Sequence, residues 1–118
     1  IVHCADSETN SHGRIRYLVA EEKPVILGYD PENWAAAVDY HSHPIETALA
    51  AVDAVRANTV PLLRRLPDDA WDKEAIHSES GRYTGIGWLR IYAAHLEEHV
   101  DQVNRTLEAW RAAAASSS

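Results

Sequence analysis

Residues 45–66, IETALAAVDAVRANTVPLLRRL, place Ile45, Ala48, Leu49, Val52, Val55, Leu62, Leu63 and Leu66 at steps of three and four, with Thr59 in the same register. Such steps return to one side of a helix with 3.6 residues per turn, so the spacing predicts a long amphipathic helix with one continuous buried face. His41-Ser42-His43-Pro44 breaks the chain before it, and Pro67 closes it.

Working outward, a first helix is expected over about residues 1–22, with Cys4, Ile15 and Leu18 as its apolar stripe and Pro24 as its stop. Residues 24–33, PVILGYDPEN, read as a loop, after which Asn33 is placed to cap a short helix through Tyr40. Beyond the central helix, Pro67-Asp68-Asp69-Ala70-Trp71 looks like the cap and first turn of a small helix, and HSESGRYTG (77–85) like a polar loop. The last long helix is expected from about Thr84 to Arg111, with Leu89, Tyr92, Leu96, Val100, Val103, Leu107 and Trp110 as its stripe. Trp34, Trp71, Trp88 and Trp110 are expected to supply core volume in a chain without Phe or Met.

Ala supplies 19 of 118 residues, Gly and Pro five each, and no run alternates apolar and polar as a half-buried strand would, so the fold is expected to be all-α. At this length one domain is expected, over residues 1–112, with 113–118 as a disordered tail. No internal repeat has a solenoid period. Three long amphipathic helices suggest an up-down bundle, and bundles of that kind are most readily closed by four. The chain starts at Ile1 and has no Met, so an N-terminal helix is expected to be absent. The seam it would leave calls for cover by a second copy, which makes a homodimer the expected state.

Apolar residues at 46% and charged residues at 25% are ordinary for a folded soluble domain. The net charge of −7 disfavours nucleic acid and anionic membranes as partners. No apolar run approaches the ~20 residues of a membrane span, and no signal peptide is visible. The single Cys4 allows no disulfide within the chain, so a reducing, cytoplasmic setting is expected.

Seven histidines make a metal the natural chemical question. His95 and His99 lie about 40° apart around a helix at ~100° per residue, and His99 falls in the stripe of Leu96 and Val103. Both imidazoles can face the bundle interior and share one ion, although two hydrogen-bonded boundary histidines would show the same spacing. On the first helix His3, Ser7, Asn10 and Arg14 form a polar stripe, either a solvated face or the lining of a wet pocket. In the second case His3 supplies a third nitrogen and Ser7, Asn10 and Arg14 meet substrate, Arg14 holding an anionic group while Asp6 supports the ligands from behind. Residues 95–99, HLEEH, also match the H-x-x-E-H pattern of inverted zinc proteases, with Glu98 as the acid or base, but that peptidase fold is much larger. Cys4 reads as a small core residue. His12, His41 and His43 read as solvent-facing, and His77 as a loop residue that can approach a pocket.

His3-Cys4-Ala5-Asp6-Ser7-Glu8 followed by Arg14-Ile15-Arg16 resembles the H-x-x-D-S-E…R-x-R helix of the DinB/YfiT-like superfamily, to which metal-dependent hydrolases and thiol transferases are assigned. The resemblance continues through Gly28-Tyr29-Asp30-Pro31, Trp34, Leu62 to Trp71, His77 to Gly81, and Tyr92 to His99. It implies a four-helix bundle holding a divalent ion on His3, His95 and His99, with zinc or nickel expected before iron or manganese. It also implies a small-molecule substrate and a low-molecular-weight thiol as co-substrate, with thiol transfer or hydrolysis as the reaction. The second function class is a non-catalytic, stress-associated metal-binding helical module.

Overall fold

Ile15 and Leu18 on the first helix are almost wholly removed from solvent, and the other elements are arranged around them. The computed structural model describes residues 1–117, in the order α1 (Val2–Ala20), β1 (Val25–Ile26), α2 (Pro31–Ala37), α3 (Ile45–Arg65), β2 (Glu74–His77), β3 (Gly81–Thr84) and α4 (Gly85–Ser116), with 3-10 turns at Tyr40–Ser42 and Asp68–Asp72. The architecture is a mainly helical bundle of the four-helix type in which α1 packs against both α3 and α4. The main core joins Ile15 and Leu18 to Ile26, Ala75, Tyr83, Trp88 and Tyr92, with Leu62, Leu63, Leu66 and Trp71 partly buried against it. A smaller cluster of Val2, Ala5 and Ala48 sits at the other end of α1.

Two boundaries differ from the sequence reading. The cap of α2 is Asp30, whose carboxylate accepts the Glu32 and Asn33 N–H groups, with Pro31 in the first turn; Asn33 lies inside the helix and does not cap it. Thr84 caps α4 by accepting the Gly87 N–H at 3.0 Å, as the starting point suggested. At its other end α4 runs on to Ser116, because the alanines of 112–115 are strong helix formers and nothing there interrupts the backbone pattern. Residues 113–116 therefore extend the helix where a tail was expected, and Ser118 lies outside the described residues.

The expected loops contain a small sheet. β1 pairs parallel to β2 (Val25↔Ile76, Ile26↔His77), and β2 pairs antiparallel to β3 (Ala75↔Tyr83, His77↔Gly81). Its strands have two to four residues, too short for alternation to show, yet Ala75 and Tyr83 are buried while Ile76 and Arg82 are exposed, as a period of two requires. Gly81 closes the hairpin at φ 79, a conformation costly for other residues. Gly85 lets the start of α4 approach the Asp68–Asp72 turn, since a Cβ there would lie 2.7 Å from the Ala70 carbonyl oxygen.

The apolar stripe of α4 is covered only in its first half. Tyr92 is buried, but Val100, Val103, Leu107 and Trp110 are exposed, Trp110 at 67%. His95 and His99 sit beside His3 near the start of α1, so α4 beyond residue 100 has no α1 alongside it. The same end leaves Ile45 and Leu49 of α3 exposed, so the face expected to be continuous is buried only in part. Trp110 is thus not a core residue; Trp88 is, at 2% exposure, while Trp34 and Trp71 are half-buried.

Burial pushes the Tyr83 hydroxyl up to about 12. The unfolded chain loses that proton near the ordinary value of about 10, so the contribution is fully present below that pH and is lost as pH rises toward 12. Urea unfolding across this range is expected to show a decline for which Tyr83 accounts for about 2 kcal/mol. Tyr83→Phe should flatten the curve. An unchanged slope would show that Tyr83 does not carry the alkaline loss.

Candidate metal centre

His3 lies in the first turn of α1, and His95 and His99 lie one turn apart on α4. Packing of α1 on α4 brings the three rings into mutual edge contact, with centroid separations of 5.5 Å (His3–His95), 4.8 Å (His3–His99) and 4.5 Å (His95–His99). One nitrogen from each lies within 4.8 Å of the others. The Nε2 atoms of His95 and His99 are 3.1 Å apart. Two nitrogens bound tetrahedrally to one ion at ~2.0 to 2.1 Å stand about 3.3 Å apart, so this pair already has nearly the required spacing.

The protonation pattern suits a cation. His3 Nδ1 is buried without a hydrogen-bond partner, which a ligand would satisfy. Burial first, and the neighbouring imidazoles second, hold His3 below the ordinary histidine range; burial and His99 do the same for His95. Both rings are therefore neutral near pH 7 with lone pairs available. His99 Nδ1 lies 3.0 Å from Gln102 Oε1, and His95 Nδ1 lies 3.5 Å from Ser7 Oγ. Donation from each Nδ1–H to these oxygens leaves both Nε2 lone pairs facing each other, an arrangement that a bound ion relieves. The donor set thus fits a divalent ion.

The other residues of the polar stripe are more occupied than their spacing suggests. The Asn10 side-chain amide donates to the Asp6 carbonyl oxygen at 2.9 Å, while the Asp6 carboxylate accepts from the Tyr40 hydroxyl. Arg14 donates to the Tyr92 hydroxyl at 2.9 Å and to the Leu27 carbonyl at 2.8 Å, which ties α4 and the residue after β1 to α1. Glu98 is exposed next to His99, near enough for its charge to act on His95. His77 uses Nδ1 to accept the Glu79 and Ser80 N–H groups, so it organises the hairpin away from the cluster. His41 and His43 are exposed, and His12 is within 3.0 Å of Asn58.

Cys4 is half-buried and, together with His3 and His99, lines an open groove of about 770 Å³ whose walls include Leu49 and Val52 of α3 and Leu96, Val100 and Leu107 of α4. It is a groove residue and not part of the apolar core. Burial pushes its thiol up from the ordinary range, so it is protonated near neutral pH.

Sequence reasoning missed one feature beside the cluster. Glu8, 1% exposed, receives two hydrogen bonds of 2.7 Å from Arg56 of α3, and the same guanidinium donates to the Tyr92 carbonyl oxygen at 2.8 Å. The available signal was a charge of each sign set among apolar neighbours, Glu8 between Ala5 and Ile15 and Arg56 between Val52 and Leu63.

The chain is 35% identical over 103 residues to a protein of Oceanobacillus iheyensis provisionally named a metal-dependent hydrolase, an alignment covering 87% of this chain and 59% of the relative. A second protein of that organism, with the same provisional name, is 27% identical over 89% of this chain and 60% of its own length. The chain thus spans about three-fifths of these relatives. The solved structure of YfiT from Bacillus subtilis, described as a probable metal-dependent hydrolase with an unusual four-helix bundle topology, superposes with a TM-score of 0.74 at 25% identity, over 90% of this chain and 63% of that one. Residues 1–103 match the model of the DinB superfamily, and with the helical bundle and histidine cluster in place the chain belongs to that superfamily.

Proposed function

We propose that the protein is a metal-dependent enzyme in which His3, His95 and His99 hold one divalent ion and a thiol or water is activated for transfer to, or hydrolysis of, a small substrate. The observation that carries this reading is the groove of about 770 Å³ against His3 and His99, since an ion held by three imidazoles beside open space keeps a position for another ligand. When bound, the ion would lower the pKa of a coordinated water or thiol toward neutrality. Three borderline nitrogen donors favour zinc or nickel over iron or manganese. Within the chain, Ser7 and Gln102 orient two of the rings, and the apolar walls suit a substrate with a hydrocarbon portion. Arg14 is proposed to meet an anionic end of an extended substrate, and Glu98 to act as an acid or base at the rim. Asp6 supports the start of α1 through Tyr40.

One observation favours the second reading, a non-catalytic metal-binding module associated with stress: among the described residues no Asp, Glu, Lys or Arg lines the groove. Elemental analysis of protein purified without an affinity tag or added metal, followed by parallel assays of thiol transfer to a small electrophile and of ester or amide hydrolysis, separates the two. The enzyme reading expects one ion per chain and turnover lost on stripping and restored on reloading. A stoichiometric ion with no turnover in either assay favours the module.

We further propose that a second copy packs on the outer edges of this groove at Ile45, Leu49, Val100 and Leu107 and encloses, without filling, the space beside His3 and His99, and that the protein works in the cytoplasm, where its unpaired Cys4 stays reduced. Among the described residues no helix is long and apolar enough to cross a membrane. Light scattering should give twice 13.1 kDa, falling to the single-chain mass on Val100→Glu/Leu107→Glu replacement. A native chain that scatters as 13.1 kDa at micromolar concentration removes the dimer.

A further inference from the structure

The guanidinium of Arg56 joins the three long helices at one level. It grips both carboxylate oxygens of Glu8, five residues after His3 on α1, and the carbonyl of Tyr92, three residues before His95 on α4. Tyr92 is held a second time through its hydroxyl by Arg14. We infer that the Glu8–Arg56 pair is a positioning device that fixes the sliding register of α1 against α4 and thereby brings the His3 ring to His95 and His99. This rests on the reading of those histidines as metal ligands.

The reason lies in what an ion pair does and an apolar pair does not. A buried pair of this kind is often no more stabilising than well-packed hydrophobic side chains of the same volume, so stability alone gives no account of it. A forked guanidinium on a carboxylate is satisfied in only one relative placement of its helices, whereas apolar side chains tolerate a slide. The cluster needs that placement. His3 stands on a different helix from the other two rings, and its nitrogen is within 4.8 Å of theirs only at the observed register of α1 on α4. The main core holds α1 on α4 through Ile15, Leu18, Trp88 and Tyr92 toward the other end of α1, and the Glu8–Arg56 pair extends that hold toward the cluster.

The test replaces the pair with apolar groups, Glu8→Leu/Arg56→Met, and compares thermal unfolding, cobalt(II) and zinc(II) affinity, and ring-to-ring nuclear Overhauser contacts between His3 and His99 in metal-free protein. The double variant is expected to keep its Tm within a few degrees of the parent, to bind both ions about 10- to 100-fold more weakly, and to lose the ring contacts. Arg56→Lys, which keeps the charge without the fork, is expected to fall between the two; should the double variant fail to fold, this variant carries the same comparison. A folded variant with parental ring contacts and parental affinity overturns the inference. A parent that shows the ring contacts yet binds neither ion overturns the metal reading, and the ring contacts of the variants still decide whether the pair sets the register.

Discussion

His99→Ala is expected to weaken binding of a divalent ion by about two to three orders of magnitude and to remove any ion-dependent turnover with it. The size follows from the total affinity of zinc sites, about 10 to 16 kcal/mol over four ligands, or roughly 2.5 to 4 kcal/mol for each. His99 makes the two closest ring contacts of the cluster, at 4.8 and 4.5 Å between centroids, so its loss also leaves His95 without its nearest ring. Competition against a chromophoric chelator reads the affinity, and His43→Ala, at an exposed position away from the cluster, serves as the control that should change nothing. If His99→Ala bound the ion as tightly as the parent, three-imidazole coordination would be excluded. Turnover that persisted in a verified metal-free variant would remove the metal mechanism independently of where the ion sits.

Trp88→Ala is expected to cost about 3 to 5 kcal/mol of folding stability, a large share of the ~5 to 15 kcal/mol available to a domain. Trp88 is 2% exposed, packs at 5.4 Å from the Tyr92 ring, and donates its indole N–H to the Ser11 carbonyl oxygen at 3.0 Å. Truncation therefore opens a cavity and removes a hydrogen bond at the same place. Trp110→Ala, at 67% exposure, should change the stability of a single chain by less than about 0.5 kcal/mol. Chemical denaturation of both variants checks the contrast, and equal losses would mean that the end of α4 is packed more fully than its exposure indicates.

The two tryptophans show what periodicity can and cannot say. Trp110 lies on the expected α4 stripe and Trp88 one turn before its Tyr92, and the spacing of Leu89, Tyr92 and Leu96 identifies that face, because helix geometry fixes which side chains share a side. It carries no information on how far along the helix a partner extends. The starts and ends of α1 and α3 and the start of α4 were legible for the same local reason, through Pro24, Pro44, Pro67 and Thr84. The sheet was not, because strands of two to four residues leave no pattern, and their pairing joins residue 26 to residue 77 across half the chain.

For the candidate centre, the helical step of four made the His95–His99 pair visible, and the polar stripe and family resemblance pointed to His3. Local sequence dictates each of these, since neighbours on one helix meet wherever that helix goes. The approach of His3 to the pair, the engagement of Arg14 by Tyr92 and Leu27, and the Glu8–Arg56 bond across α1 and α3 arise from the docking of separate helices. Docking is set by the summed packing of side chains distant in sequence, and a single ångström of it separates three histidines that can share an ion from three that cannot.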